Sequence, residues 1–149
     1  MDVSEKELCR IAKDNGWYDE RRGMYMRDNG KLLYCFGVEY THSQHNDLDS
    51  IQKEITLSHR VMVSINHAKL AGGKDVYNQA VHSVVVNDMD ERFVYIANPG
   101  TGHSNEQILR SVFIHAWEDS CCYMLSTCEA ALFKYNSQSK SMVELFVNK

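Results

Sequence analysis

The clearest pattern of apolar and polar residues lies in the middle of the chain, where it predicts a β-hairpin. The run His82–Val86 is rich in valine, and the run Phe93–Asn98 alternates apolar and aromatic residues, so both are typical of strands. Between them, the polar residues 88–92 predict a hairpin loop. With the turn centred on Asp90, the predicted register has three pairs: Val86 with Val94, Val84 with Ile96, and His82 with Asn98.

That register brings two polar residues together at the open end of the hairpin. Residues directly opposite each other in an antiparallel pair have Cβ atoms roughly 5 Å apart on one face of the sheet. At that distance the side-chain carbonyl of Asn98 accepts a hydrogen bond from one imidazole nitrogen of His82. Such a bond fixes the tautomer and leaves the other nitrogen free to act as a base. The alternative is that His82 merely opens a buried strand and Asn98 merely begins the turn before Pro99.

The residues before the hairpin predict helices and then a strand. We expect three helices: one from the capping box Ser4–Glu7 to Asn15-Gly16, a short one carrying Leu32, Leu33 and Phe36, and one capped by Asp47 or Asp49 that carries Ile51 and Ile55. The apolar run Val61–Ile65 predicts a strand. Residues 66–80 predict a polar loop next to His82, the kind of segment that often faces a substrate.

The residues after the hairpin predict another helix and further strands. After a turn over Pro99–Gly102, the capping box Ser104–Gln107 predicts a helix whose buried residues are Ile108, Val112, Phe113 and Trp117. The run Cys121–Ser126 predicts a strand, residues 128–135 suit either a helix or a strand, and residues 142–147 predict a final strand. Because helices come first and an antiparallel sheet follows, we expect one α+β domain over residues 1–149.

Charge and composition exclude several classes of function. The formal charge of −4 argues against a nucleic-acid partner, because phosphate binding depends on clustered Lys and Arg. No apolar stretch reaches membrane-spanning length and the N-terminus lacks the layout of a signal peptide. We therefore expect a cytoplasmic protein without a membrane partner, and the sequence leaves non-classical secretion and the oligomeric state open. His42 and His45, with Asp47 and Asp49 nearby, suit a polar loop before a helix cap better than a metal site, and no cofactor is expected.

The cysteines are the candidate nucleophiles. The chain has five, at irregular spacings that indicate reduced thiols rather than disulfides or zinc pairs: Cys9, Cys35, Cys121, Cys122 and Cys128. A catalytic thiolate is favoured at a helix N-terminus. Cys9 is predicted to lie buried inside its helix, Cys35 at a helix C-terminal end, and Cys121 and Cys122 in a strand. Cys128 alone suits a helix start, with Ser126 or Thr127 as the cap, although it also suits the end of the preceding strand.

Several of these segments together resemble a known family. They are residues 4–12, 47–55, 61–65, 82–86, 94–100 and 108–117. The set is similar to the papain-like cysteine peptidases related to the bacterial bacteriocin-leader (double-glycine) processing peptidases. In that family a His heads a valine-rich strand and an Asp-Pro follows after a hairpin, with the spacing of 16 that separates His82 from Asn98. Asn98 stands where Asp is common, a replacement that the wider papain group itself uses.

The resemblance implies a papain-like fold, with helices packed on an antiparallel sheet. It implies that His82 is the general base and that Asn98 orients it. The family carries its nucleophile at the start of a helix upstream of the helix that Ser4 begins here, with an oxyanion-stabilising Gln shortly before that Cys. In this sequence that helix is absent or displaced, and no residue inherits either role by position. The segment Ser126–Phe133 resembles the family's nucleophile helix locally, which would make Cys128 the nucleophile in a permuted order.

Three hypotheses on function follow. The first is a degenerate peptidase-like domain, a pseudoenzyme that keeps the His82/Asn98 pair and binds a peptide or protein without cleaving it. The second is an active thiol hydrolase of peptidase type whose nucleophile is Cys128, or is supplied by a missing segment or a partner chain. The third is a structural interaction domain in which His82 and Asn98 are ordinary residues at the edge of the core.

Overall fold

A six-stranded antiparallel sheet with helices on both faces forms the body of the computed structural model, which describes residues 3–70 and 81–127. The helices are α1 (Glu5–Asp14), α2 (Lys31–Cys35), α3 (Leu48–Thr56), α4 (His67–Leu70) and α5 (Arg110–Trp117), with 3-10 turns at Met26–Asp28 and Glu118–Ser120. The strands are β1 (Tyr18–Asp19), β2 (Gly23–Met24), β3 (Tyr40–Ser43), β4 (Val61–Ile65), β5 (His82–Met89), β6 (Phe93–Asn98), β7 (His103–Leu109) and β8 (Met124–Thr127). The fold is therefore α+β, as the sequence predicts.

The order of strands in the large sheet is β3-β8-β4-β5-β6-β7, and β1 and β2 form a separate small hairpin. Every residue of β4 is buried, which explains its continuous apolar sequence: it lies inside the sheet and packs on both faces. Its alternate residues belong to different cores, since side chains of a strand point to opposite faces in turn. Val61 and Val63 pack with α3 and α5, whereas Met62 packs with α1 and α2.

Local sequence signals place two helix starts correctly. Ser4 caps α1, its hydroxyl accepting from the amide of Glu7 at 3.2 Å. Asp47, one of two candidate caps for the third helix, caps α3 in a capping box with Ser50. Because such side chains satisfy amides that a helix leaves unpaired, these starts can be predicted without tertiary information.

The predicted helix start at Ser104–Gln107 is wrong, although the helix itself is found as α5. These residues belong to strand β7, which pairs with β6, and α5 begins only at Arg110. Ile108 is buried as expected, but it packs from the strand, whereas Phe113 and Trp117 pack from the helix. The exposed backbone groups of β6 need partners, and a full ladder with β7 outweighs the roughly 1 kcal/mol that a helix cap offers.

The predicted register of the hairpin is also wrong, although its two strands are correct. Val86 pairs with Ile96 and Met89 pairs with Val94, and the register shifts between Val86 and Asp88. The shift is a β-bulge, in which one extra residue of β5 has no direct partner. Before the bulge the true register differs from the predicted one by two residues. A shift of two keeps every side chain on its face, whereas a shift of one would have turned it over.

Other predictions fail in detail. Cys121 and Cys122 do not lie in a strand: both have positive φ, at 56° and 52°, and form the turn before β8. Strand β3 was not predicted, and α4 lies in the segment predicted as a loop. The predictions for Cys128 and for residues 128–135 and 142–147 lie outside the described residues. Within the described ranges, no helix is long and apolar enough to cross a membrane.

Candidate active site

His82 and Asn98 meet at the end of strands β5 and β6. The His82 Nε2 atom lies 3.2 Å from Asn98 Oδ1, which is hydrogen-bonding distance. The two residues are diagonal rather than directly opposite, because the ladder pairs Val85 with Ala97. Diagonal neighbours on one face remain within reach of long side chains. The predicted contact is therefore confirmed, in a register that was not predicted.

The side-chain amide of Asn98 is held in one orientation by three partners. Its Oδ1 accepts from the amide of Gly100 at 2.9 Å as well as from His82, and its Nδ2 donates to Glu106 Oε2 at 3.1 Å. A flipped amide would place its NH2 group against the N–H of Gly100 and its oxygen against the carboxylate of Glu106. Asn98 is also fully buried, so water offers no substitute partners. The carbonyl oxygen of Asn98 is thus fixed toward His82.

This orientation determines the tautomer of His82. Asn98 Oδ1 can only accept, so the hydrogen bond places a proton on His82 Nε2. In the neutral ring Nδ1 is then the atom with a free lone pair, and no described residue forms a hydrogen bond with it. A neutral imidazole held in this way is a competent proton acceptor at Nδ1.

The surroundings favour the neutral form of His82. Burial lowers the pKa of the ring below its ordinary value of 6.5, against the hydrogen bond to Asn98, which raises it. Nearby His67 lowers the pKa further, because two positive rings repel each other. His82 is consequently unprotonated near neutral pH and able to accept a proton.

Sequence reasoning missed three residues of this site. Glu106 receives the Asn98 amide and also accepts from the Thr101 hydroxyl at 3.0 Å. Gly100 donates its amide to Asn98, and the His67 ring lies against His82 with centroids 5.2 Å apart and planes at 74°. The glycine after Pro99 was a visible signal, but Glu106 was assigned to a helix and His67 to a loop.

A groove of about 360 Å³, lined in part by His82, lies between the sheet and helices α1 and α2. Its volume falls within the range of ligand pockets. The lining is mostly apolar and includes a few polar side chains: Leu8, Cys9, Ala12, Tyr18, Met24, Asn29, Gly30, Leu32, Leu33, Met62, His82, Ser83, Val84, Val85 and Pro99. A groove of this kind suits the apolar side chains of a peptide.

No described cysteine has the environment of an activated nucleophile. Cys9 lines the groove and is only partly buried, which corrects the prediction of a core cysteine, but it lies a turn inside α1. Cys35 is exposed at the C-terminal end of α2, where the helix dipole disfavours a thiolate. Burial raises the pKa of Cys122. Cys128 lies outside the described residues. The preceding residue, Thr127, pairs at the end of the sheet away from His82, with its amide on the carbonyl of Arg60.

Comparison with known proteins supports the fold. No family model matches the sequence, and no curated protein matches it. Among solved structures, the chain is similar to a Bacillus anthracis protein that carries the provisional name of C39-like peptidase, with a TM-score of 0.59 and 17% identity. The match takes in 72% of this chain and 60% of that one, so the chain spans well under two thirds of its relative. The α+β architecture is thus similar to that of this C39-like peptidase structure.

Proposed function

We propose that this chain carries the general base of a thiol-dependent peptide hydrolase, with His82 as the base and Asn98 as the residue that orients it. The observation that carries the proposal is the hydrogen bond from His82 Nε2 to an Asn98 amide held by three partners. A residue that merely opened a buried strand would need none of this network. The likeness in fold to a C39-like peptidase structure is in keeping with the proposal.

The proposed chemistry uses the free nitrogen of His82. Nδ1 takes the proton from a cysteine thiol, and the thiolate sulfur forms a bond to the carbonyl carbon of the peptide. The imidazolium, held by Asn98, then returns its proton to the leaving amine as the C–N bond breaks. Water next attacks the thioester carbon and gives a proton to Nδ1, and the C–S bond then breaks as Nδ1 returns that proton to the sulfur, releasing the acid and the thiol. Asn98 keeps the ring aligned through both halves of the reaction.

The source of the thiol is the open part of the proposal. Within the chain Cys128 is the candidate that the sequence suggests, because it suits a helix start, although the preceding residue, Thr127, lies at the end of the sheet away from His82. A cysteine from a partner chain or from a further segment is the alternative. Cys9 shares the groove with His82 and is a third, weaker candidate, because its position inside α1 does not favour a thiolate.

Alkylation with iodoacetamide near pH 6 tests the proposal. Free thiols react slowly there, whereas a thiolate paired with an imidazole reacts fast. We expect one of the five cysteines, identified by peptide mapping, to label fast in the parent, slowly in His82→Gln, and fast in the control His42→Gln. His42 is a suitable control because it also contacts aromatic rings, but on edge strand β3. Uniformly slow labelling of the parent would contradict a nucleophile within this chain.

The groove favours a second candidate, in which the domain binds a peptide without cleaving it. Its apolar walls and volume suit an extended segment even if no thiol completes the site. Leu32→Asp, in the groove wall, should weaken binding of peptides from a randomised pool, measured by fluorescence anisotropy. The control Leu57→Asp, at an exposed position after α3, should not. Tight binding with uniformly slow labelling would favour this candidate over the hydrolase.

A further inference from the structure

A second imidazole, that of His67, lies against the base. The two rings meet edge to face, with centroids 5.2 Å apart and planes at 74°. A Cβ placed on Gly100 would lie 3.2 Å from His67 Nε2, His82 Nε2 and Asn98 Oδ1 alike. The two Nε2 atoms are therefore no more than twice that distance apart. His67 Nε2, His82 Nε2 and Asn98 Oδ1 thus converge on one point beside Gly100, next to the His82–Asn98 hydrogen bond.

The sequence around His67 anchors it in this place. Asn66 is buried, and its Nδ2 donates to Asp119 Oδ2 at 2.8 Å. Lys69 Nζ forms an ion pair with the other oxygen of Asp119 at 2.7 Å. Asn66 Oδ1 accepts from the amide of Ala68 at 3.1 Å and so begins the turn of α4. One carboxylate therefore holds α4 on both sides of His67, and the ring is partly buried as a result.

Gly100 is the third part of the arrangement. A contact of 3.2 Å is tighter than most Cβ contacts, and here three polar atoms would be met at once. Any larger residue would push the two imidazoles apart or displace the Asn98 oxygen. The absence of a side chain at position 100 is what lets the three polar atoms converge.

We propose that His67 is a positioning residue for the base: its ring shields the His82–Asn98 hydrogen bond from water, and its charge opposes the protonation of His82. The inference rests on the proposed role of His82 as a base. It adds a regulatory element, because a positive charge on His67 repels a second positive charge on His82. His82 then stays available as a base at a lower pH than it would without His67.

Several other charged groups near the pair are engaged elsewhere. Titratable residues on the surrounding elements include Cys9 of α1, Lys69 of α4, His103 and Glu106 of β7, His115 of α5 and Asp119 after it. Lys69 and Asp119 pair with each other, and Glu106 accepts from Asn98 and Thr101. Within the part of the chain that the structure describes, His67 is the charged neighbour that shifts the pKa of His82.

The test is NMR of the whole chain labelled with 15N-histidine, with the His82 signals assigned by their loss in His82→Gln. His67→Phe keeps a ring over the bond but removes the charge, and we expect the titration midpoint of His82 to rise by roughly half a pH unit or more. His67→Ala removes the ring as well, so the midpoint should rise and the Nε2 proton should exchange faster with water. The control His42→Phe should change neither quantity.

Unchanged midpoints in both His67 variants would overturn the inference, as would an equally protected Nε2 proton in His67→Ala. If thermal melting shows that His67→Ala does not fold, the midpoint of His67→Phe decides alone. None of these measurements needs turnover. Failure of the proposed hydrolase, seen as uniformly slow alkylation, is therefore distinguishable from failure of the pairing of His67 with His82, seen in the titration.

Discussion

At the scale of single residues, the site depends on the hydrogen bonds that orient the side-chain amide of Asn98. Asn98 has partners for both its oxygen and its nitrogen, and they come from the turn at Gly100, from Glu106 of β7 and from His82 of β5. The His82–Asn98 contact could be predicted from sequence, because strand alternation preserves the face even when the register is wrong by two. Glu106 could not, because its contact depends on the ladder between β6 and β7, which local signals did not reveal.

Gly100→Ala tests whether His67, His82 and Asn98 can converge only because position 100 has no side chain. The new Cβ would meet three polar atoms at 3.2 Å, so the two imidazoles have to retreat by a few tenths of an ångström. We expect weaker protection of the His82 Nε2 proton in NMR, while the free energy of unfolding changes by no more than about 1 kcal/mol, since the position is on the surface. The control is Gly16→Ala, where no atom lies within 4 Å but φ is +73°. It should lower stability through backbone strain and leave the His82 proton unchanged, and a protected proton in Gly100→Ala would argue against the crowding.

At the scale of elements, contacts between segments that are far apart in sequence determine where α4 forms, and the pairing with β6 determines that β7 is a strand. α4 has only four residues, and nothing in its apolar pattern marks it as a helix. It exists because the Asn66 amide and Lys69 share Asp119, which follows α5 more than forty residues later. Such long-range partners are invisible to local propensity. For the same reason the sequence predicts a helix cap at Ser104–Gln107, whereas in the structure these residues pair with β6 as a strand.

Asp119→Ala should release α4. Without the carboxylate, the side chains of Asn66 and Lys69 lose their bonds to Asp119, and the amides of Ala68 and Lys69, which bond to Asn66, should open more often. We expect faster hydrogen exchange at these two amides, measured by mass spectrometry or NMR, with little change in the strands. Glu118→Ala, at the exposed carboxylate next in sequence, is the control and should leave both exchange rates as they are.

Two buried aromatic residues, Phe113 and Trp117, pack helix α5 against the core. Trp117 is 1% exposed, packs against Phe113, and donates its Nε1 proton to the carbonyl of Tyr123 at 2.7 Å. Trp117→Ala should lower the free energy of unfolding by about 3 to 5 kcal/mol, because a large cavity forms and the carbonyl loses its donor. Urea denaturation measures the change. Ser111→Ala, exposed on the same helix, should stay within about 0.5 kcal/mol of the parent, and equal effects would contradict the packing described.

At the scale of the whole molecule, the class of fold could be predicted but the topology could not. Runs of helices followed by strands indicate α+β, and this class was found. The placement of β8 between β3 and β4 could not be foreseen, because it joins segments that are far apart in sequence and adjacent only in the sheet. Likewise, the groove between the sheet and helices α1 and α2 is a product of tertiary packing, and Cys9 was expected in the core for that reason.

Global stability should depend on pH through His82. Its folded-state pKa is lowered from 6.5, chiefly by burial, so the unfolded chain binds more protons in the window below 6.5. The contribution of neutral His82 to the free energy of unfolding is full above pH 6.5 and is lost as the pH falls toward the pKa of His82 in the folded protein. Urea midpoints at pH 7.5, 6.5 and 5.5 should therefore fall more in the parent than in His82→Gln, and His42→Gln should behave like the parent.

The carboxyls with lowered pKa, those of Asp47, Asp90 and Asp119, act in a separate window near and below pH 3.8. An equal fall of the urea midpoint with pH in the parent and in His82→Gln would contradict the lowered pKa of His82.

The bulge in β5 has a consequence for how the ancestry of such hairpins is traced. One residue between Val86 and Asp88 has no partner, so its deletion would leave every ladder pair intact. A homologous chain without it would carry the same histidine and asparagine in the same contact, but one residue closer in sequence. The separation of 16 residues is therefore set by the bulge as well as by the contact. A search that demands a fixed interval would miss true relatives, whereas one that aligns the strands on either side of the bulge would recover them.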